Sequence, residues 1–235
     1  MMITNYLFDL DGTLLPLNET EFLNKYIKLI GYKFLEMGFN PKEMIDKLWL
    51  GTDAMIKNNG EKTNEEVFWE VFYPEKSNQA NIKTSLEKFY LNEFNQVKDT
   101  TTPNEYAKRI ISLLKMRNSR IILATNPLFP RVATNNRINW AGLTITDFAC
   151  VTTYENSSYT KPNLNYYRNI LEKNSLNPEE TIMIGNDVDE DMVAKHLGLK
   201  TFLVTDCLNN RKGKDIKNYH KGSLKDLYEY LLKNN

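Results

Sequence analysis

Four short apolar runs, at residues 6–10, 120–124, 181–184 and 200–204, are separated by stretches of helical periodicity. That alternation most narrows the folds open to the chain. Strands joined through helices need right-handed crossovers, so they lie in a mostly parallel sheet with helices packed on its faces. Ligands of such a sheet bind beyond the carboxyl ends of its strands. The helical partners read as follows. Thr102-Pro103-Asn104-Glu105 supplies a cap, a first-turn proline and an N3 glutamate before the stripe Tyr106, Ile110, Leu113, Leu114. Further helices are expected near 164–173 and near 190–197, the latter stopped by Gly198. A last one starts at Ser223 and carries Leu224, Leu227, Tyr228, Leu231 and Leu232 on one stripe.

One stretch breaks the alternation. From Asn18 to about residue 99 the periodicity is helical throughout, with Phe22, Tyr26, Leu29 and Ile30 on one stripe and Leu86, Phe89, Tyr90 and Phe94 on another. Helix starts recur at Asn40 before Pro41 and at Thr63 with Glu66. This is far longer than the roughly 2–6 residues that usually join a strand to a helix. It reads as an inserted domain of packed helices. The expected architecture is therefore α/β, a Rossmann-like parallel-sheet core of residues 1–16 and 100–235 with an all-helical domain of residues 17–99.

Composition limits the partners. With 235 residues and 41% hydrophobic content the chain can bury a full core, and Lys plus Arg equals Asp plus Glu at 30 each. Global charge thus gives no reason to expect nucleic acid, and a small-molecule substrate is the better expectation. No apolar stretch approaches the roughly 18 residues of a membrane span, so no membrane partner is expected. Cys150 and Cys207 lie far apart without CxxC spacing, which points to a reducing cytoplasm.

The chemistry-bearing residues fall at strand ends. Asp9 and Asp11, in Asp9-Leu10-Asp11-Gly12-Thr13, project to one side where the chain is still extended. Two such carboxylates call for a cation or for one raised pKa. Gly12 permits a sharp turn and Thr13 offers a hydroxyl to an anion. Alone, the run is equally an acidic surface turn. The strand at 120–124 ends in Thr125-Asn126, a hydroxyl and an amide. Lys161 precedes Pro162 at the head of a helix, where its ammonium can point back toward the strand ends. The strand at 181–184 ends in Gly185-Asn186-Asp187-Val188-Asp189-Glu190-Asp191. Asp187 and Asp191 share a face there if a helix begins early, while Asp189 and Glu190 suit capping.

Asp-x-Asp-Gly-Thr, Thr-Asn after a strand, Lys-Pro, and an acid cluster after a strand, in that order, resemble the four-motif signature of the haloacid dehalogenase-like hydrolase superfamily. The resemblance implies that Asp9 is a nucleophile forming an aspartyl-phosphate and that Asp11 is the acid and base. It implies that Gly12, Thr13, Thr125 and Asn126 surround the phosphoryl group and that Lys161 orients the nucleophile. Mg²⁺ would be held by Asp9, the backbone carbonyl of Asp11, and Asp187, with Asp191 as a further partner. Family members often carry Gly-Asp directly, whereas here Asn186 intervenes; alignment on the later acid selects Asp187 and leaves Asn186 as a fallback oxygen ligand. Asp11 and the acid cluster argue for phosphate chemistry against carbon–halogen cleavage.

The helical insert sits where the superfamily places an α-helical cap, with hinges expected near 14–17 and 98–103. Within it, Lys57 and Asn59 lie in polar, glycine-containing breaks and are the expected contacts to the leaving group. The function this implies is a Mg²⁺-dependent phosphomonoester hydrolase acting on a small phosphorylated metabolite, with phosphoglycolate, nucleoside monophosphates and sugar phosphates as the candidates by resemblance, as a monomer or homodimer. A phosphomutase using the same intermediate, and a binding protein on the same fold without turnover, are the alternatives.

Overall fold

The computed structural model describes residues 2–233. Met1, Asn234 and Asn235, which the sequence reading assigns to the core, lie outside the described residues. Six strands form one sheet in the order β3-β2-β1-β4-β5-β6, comprising β1 (Asn5–Phe8), β2 (Arg120–Leu123), β3 (Cys150–Val151), β4 (Thr181–Gly185), β5 (Lys200–Val204) and β6 (Lys221–Gly222). Every neighbouring pair is parallel. The expected α/β sheet is present, and β1 lies at its centre because every residue of that strand is buried. The chain adds β2 and β3 to one side of β1 and then β4 to the other. Such a reversal opens a crevice beyond the carboxyl ends. Phe8 aligns with Leu123 on one side and Ile184 on the other, which brings Asp9 level with the segments leaving β2 and β4.

Two strands and a helix went unread in the sequence. The strands β3 and β6 are two residues long, too short for an alternation to register. The helix over Arg131–Trp140 carries polar residues through its middle and few of the apolar repeats that mark a helix.

Four helices follow β1, namely α1 (Glu19–Glu36), α2 (Pro41–Ile56), α3 (Asn64–Phe72) and α4 (Lys76–Leu91), and then a 3-10 helix at Glu93–Thr100. Their starts follow local chemistry. Asn18 accepts from the Glu21 amide, Asn40 accepts from Lys42 and Glu43 with Pro41 in the first turn, and Thr63 and Glu66 form a reciprocal capping box. The two segments leading into and out of this block run side by side. Leu17 bridges antiparallel to Thr101, and the Thr102 amide donates to the Pro16 carbonyl at 2.9 Å.

Helix α5 (Glu105–Met116) begins two residues later than the sequence reading places its cap, because the Asn104 side chain rather than Thr102 accepts the first free amide, that of Tyr106. It is followed after β2 by α6 (Arg131–Trp140), then by α7 (Leu164–Lys173) and α8 (Leu224–Lys233). Ser223 caps α8, its hydroxyl accepting from the Asp226 amide at 3.1 Å. Between β4 and β5 the helix is a 3-10 segment, Met192–Leu197, ending at Gly198 with φ of +87°.

One aromatic cluster joins the helical block to the sheet side. Phe94, fully buried, has its ring 5.2 Å from Trp140, 5.4 Å from Tyr90 and 5.8 Å from Tyr26, and it also meets Phe22, Phe89 and Phe129. Hydrogen bonds reinforce this contact. The Glu65 amide donates to the Tyr154 carbonyl at 2.9 Å, and Asn136 Nδ2 donates to the Tyr90 carbonyl at 2.6 Å. Phe94→Ala removes one ring shared by both sides and is expected to cost about 3–5 kcal/mol in urea denaturation. A loss under about 1 kcal/mol would show that the two sides do not share this core.

Candidate active site

β1 ends at Phe8, and the chain turns at once. Asp9 lies past the strand, Leu10 is in a turn, and the Thr13 and Leu15 amides both donate to the Leu10 carbonyl, at 3.1 and 2.8 Å. The chain turns between Asp9 and Asp11, and the two carboxylates meet different cations, Lys161 and Arg137. Gly12 makes the turn possible. Its φ is +81°, and a Cβ there would overlap the side chain of Asn186.

Asp9 meets a buried lysine. Lys161 Nζ lies 2.8 Å from Asp9 Oδ1 and 2.6 Å from Asp191 Oδ1, and its side chain is 1% exposed. Burial alone would push this ammonium down, but Asp191 and Asp9 outweigh it and hold it well above its ordinary value. Burial pushes the Asp191 carboxyl up, against the pull of Lys161. Asp191 folds back over the end of β4, its Oδ2 accepting from the Asp187 amide at 3.0 Å. Gly185 is required there because a Cβ would run into that carboxylate.

The other carboxylate oxygen of Asp9 faces Thr13. Thr13 Oγ1 is 3.1 Å from Asp9 Oδ2 and 3.0 Å from Asn186 Oδ1, and Thr13 is fully buried. A hydroxyl has one proton, so it serves one of these oxygens at a time. Asn186 cannot turn its amide to help, because its Nδ2 donates to the Cys207 carbonyl at 2.7 Å. Thr13 thus has two hard acceptor oxygens within reach and one proton to give, and the oxygen left without it suits a hard cation such as Mg²⁺, which takes one or two carboxylates and keeps several waters.

Asp187 has a different employment. Its Oδ1 accepts from the Asp189 amide at 2.7 Å and the Glu190 amide at 2.8 Å, because the helix here begins only at Met192 and Asp187 closes the preceding turn. The early helix that would align Asp187 with Asp191 is absent. Among the described residues no group of three or more His, Cys, Asp or Glu side chains is disposed to hold a metal ion; amide and carbonyl oxygens would have to complete the set.

Asp11 is held by Arg137, which the sequence reading did not single out. Arg137 comes from α6, is 1% exposed, and pairs through Nη1 with Asp11 Oδ2. Its guanidinium stacks 4.5 Å from the centre of the Phe129 ring, and Nη2 donates to Thr134 Oγ1 at 3.3 Å. The available signal was a charge on a buried stripe, since Ala133, Thr134, Arg137 and Ile138 share one face of α6. Asp11 Oδ1 is buried without a hydrogen-bond partner. Burial pushes the Asp11 carboxyl up, while Arg137 pulls it down.

Thr125 and Asn126 follow β2. Thr125 is 1% exposed, and its carbonyl accepts from Thr152 Oγ1 at 2.6 Å and Tyr166 OH at 2.9 Å. Asn126 braces the loops, with Oδ1 accepting from the Lys161 amide at 3.2 Å and Nδ2 donating to Glu190 Oε2 at 3.0 Å. Burial pushes the Glu190 carboxyl up to about 7. Neither the Lys57 nor the Asn59 side chain bonds to these residues, although the Asn59 carbonyl accepts from Tyr159 OH at 3.1 Å, two residues before Lys161. Lys57 is exposed and pairs with Asp53 at 2.6 Å, and the exposed Asn59 side chain accepts from the Glu61 amide within its own turn.

A sequence profile of the haloacid dehalogenase-like hydrolases matches residues 6–204. The chain belongs to that family. Solved structures with the same fold include a haloacid dehalogenase-type phosphatase from Thermococcus onnurineus, at 17% identity and a TM-score of 0.59, covering 97% of this chain and 98% of that one. The hydrolase YfnB from Bacillus subtilis, solved bound to magnesium, aligns at 20% identity and a TM-score of 0.58 over 99% and 100%. CbbY from Rhodobacter sphaeroides, solved with phosphate, aligns at 17% identity and a TM-score of 0.55 over 94% and 93%. In this member of the family, Lys161 is the sole cation in contact with Asp9 and Asp191 among the described residues.

Lys161→Met would leave those two carboxylates buried and uncompensated, at an expected cost of about 3–5 kcal/mol by thermal or urea denaturation at pH 8. The native state would then bind protons more tightly than the unfolded chain, so the deficit should shrink as pH falls toward 5. A deficit that does not change with pH would count against a charge origin.

Proposed function

We propose that this hydrolase is a Mg²⁺-dependent phosphatase that cleaves the phosphate monoester of a small metabolite through an aspartyl-phosphate on Asp9. The observation that carries the reading is the separation of two carboxylates by their surroundings. Asp9 faces a buried ammonium and a hydroxyl, whereas burial pushes the Asp11 carboxyl up toward a form that can donate a proton.

An Asp9 oxygen attacks phosphorus, and the bond from phosphorus to the ester oxygen breaks as that oxygen takes the proton of Asp11. Asp11, now a carboxylate, accepts a proton from water. The water oxygen attacks the aspartyl-phosphate, releasing inorganic phosphate and restoring Asp9. Splitting one displacement into two suits a pair of acids with different proton affinities. Lys161 keeps Asp9 aimed and offsets its charge. Arg137 fixes the Asp11 carboxylate through Oδ2, and Asp11 Oδ1 is buried without a partner. Thr125 and the backbone of Gly12 and Thr13 would face the phosphoryl oxygens, with Asn126 setting the loop that carries Lys161.

Mg²⁺ would be held by Asp9, Asn186 and the backbone carbonyl of Asp11, with Asp187 and Asp191 supporting the loop around it. When bound it offsets the repulsion between these carboxylates and an incoming phosphate dianion. Residues 17–99 act in this reading as a cap over the strand ends, hinged on the paired segments around Leu17 and Thr101, and exclude water during the reaction.

The test is phosphate release from a panel of phosphate monoesters. Asp9→Asn is expected to abolish release, Asp11→Asn to lower kcat by at least about a hundredfold, and a chelator to remove activity that Mg²⁺ restores. Isomerised sugar phosphate without free phosphate would point instead to a mutase. Activity that survives Asp9→Asn would overturn the assignment.

A further inference from the structure

Between α1–α4 and the segments following β2 and β3 lies a cavity of about 860 Å³, with Asp11 and Arg137 in its wall. Because the ester oxygen must reach Asp11, this space receives the rest of the substrate; the inference rests on the phosphatase reading. We propose that the leaving alcohol carries a planar nitrogen heterocycle, the chemistry of a nucleoside monophosphate.

Size is the first argument. The cavity is near the upper end of the roughly 300–1,000 Å³ used by drug-sized ligands, and a two-carbon acid would leave most of it unfilled. Walls are the second. Phe22, Tyr26, Trp49, Phe68, Phe129 and Tyr154 line it, rings drawn from three of the helices and from the sheet side. Flat faces favour a flat ligand that can stack or pack edge to face. Trp49 is 43% exposed, apolar area that a bound ring would cover.

Polarity is the third. Asn135 Oδ1 and Glu155 Oε2 line the cavity as buried acceptors with no donor. The other oxygen of Glu155 already accepts from the Arg131 amide at 2.7 Å, which fixes the carboxylate. Turned toward the cavity, these acceptors would take donors such as the N–H groups on the edge of a nitrogen heterocycle.

The experiment uses the full chain with Mg²⁺. Phosphate release is followed from the four ribonucleoside monophosphates, phosphoglycolate, glucose 6-phosphate and p-nitrophenyl phosphate, and the unphosphorylated nucleosides are titrated against tryptophan fluorescence. The expected result is a kcat/KM at least about tenfold higher for a nucleoside monophosphate than for phosphoglycolate or glucose 6-phosphate, with saturable quenching by its nucleoside. Equal or better turnover of the small phosphates overturns the proposal, as does a nucleoside series that leaves fluorescence unchanged. If no ester releases phosphate, the phosphatase reading falls and the nucleoside titration alone decides what the cavity holds. Thr52→Trp, which fills the cavity, and Asn135→Leu, which removes an acceptor, should each lower the nucleotide-to-glucose-phosphate preference by about tenfold. An unchanged preference in whichever of the two variants folds also overturns the proposal.

Discussion

The site depends on one buried ammonium. Lys161 comes from the segment before α7, Asp9 from the end of β1 and Asp191 from the loop after β4, and the two contacts at 2.8 and 2.6 Å tie these parts of the chain together. None of the three groups would be stable in this setting alone, since an unpaired buried charge costs several kcal/mol. Their neighbours are arranged to suit. Asn126 holds the Lys161 backbone, Gly185 leaves room for Asp191, and Thr13 takes the second oxygen of Asp9.

A second cation organises the outer side. Arg137 reaches Asp11 from α6, beneath a sheath of aromatic rings that also joins the helical block to the sheet side. One helix therefore bears on both the chemistry and the cavity, because α6 presents Arg137 to Asp11 and Asn135 to the space beyond. The different surroundings of Asp9 and Asp11, one beside an ammonium and a hydroxyl, the other with one oxygen on a guanidinium and one buried without a partner, come from the turn at Leu10 and not from any difference in residue type.

Much of the fold was legible because strands buried on both faces and helices with apolar stripes leave periodic traces. β1, β2, β4 and β5 were read close to their bounds, and the helix starts at Asn40, Thr63 and Ser223 follow from caps that act within four residues. The parts that escaped are those whose stability is not local. β3 and β6 are two-residue strands that exist through their neighbours. α6 carries a buried arginine that only a distant carboxylate makes tolerable.

The sequence by itself determined the α/β alternation, the run of helices that follows the first strand, and the grouping of Asp9, Asp11, Lys161 and the acid cluster at strand ends, since each follows from periodicity and chain order. Tertiary structure decided which atoms meet. It turned Asp187 into its own loop, brought Asn186 to Thr13 beside Asp9, left Lys57 and Asn59 on the surface, and supplied Arg137. The reason is physical: periodicity records which face of an element is buried, whereas a contact between residues over a hundred positions apart is set by the packing of whole elements and leaves no local trace.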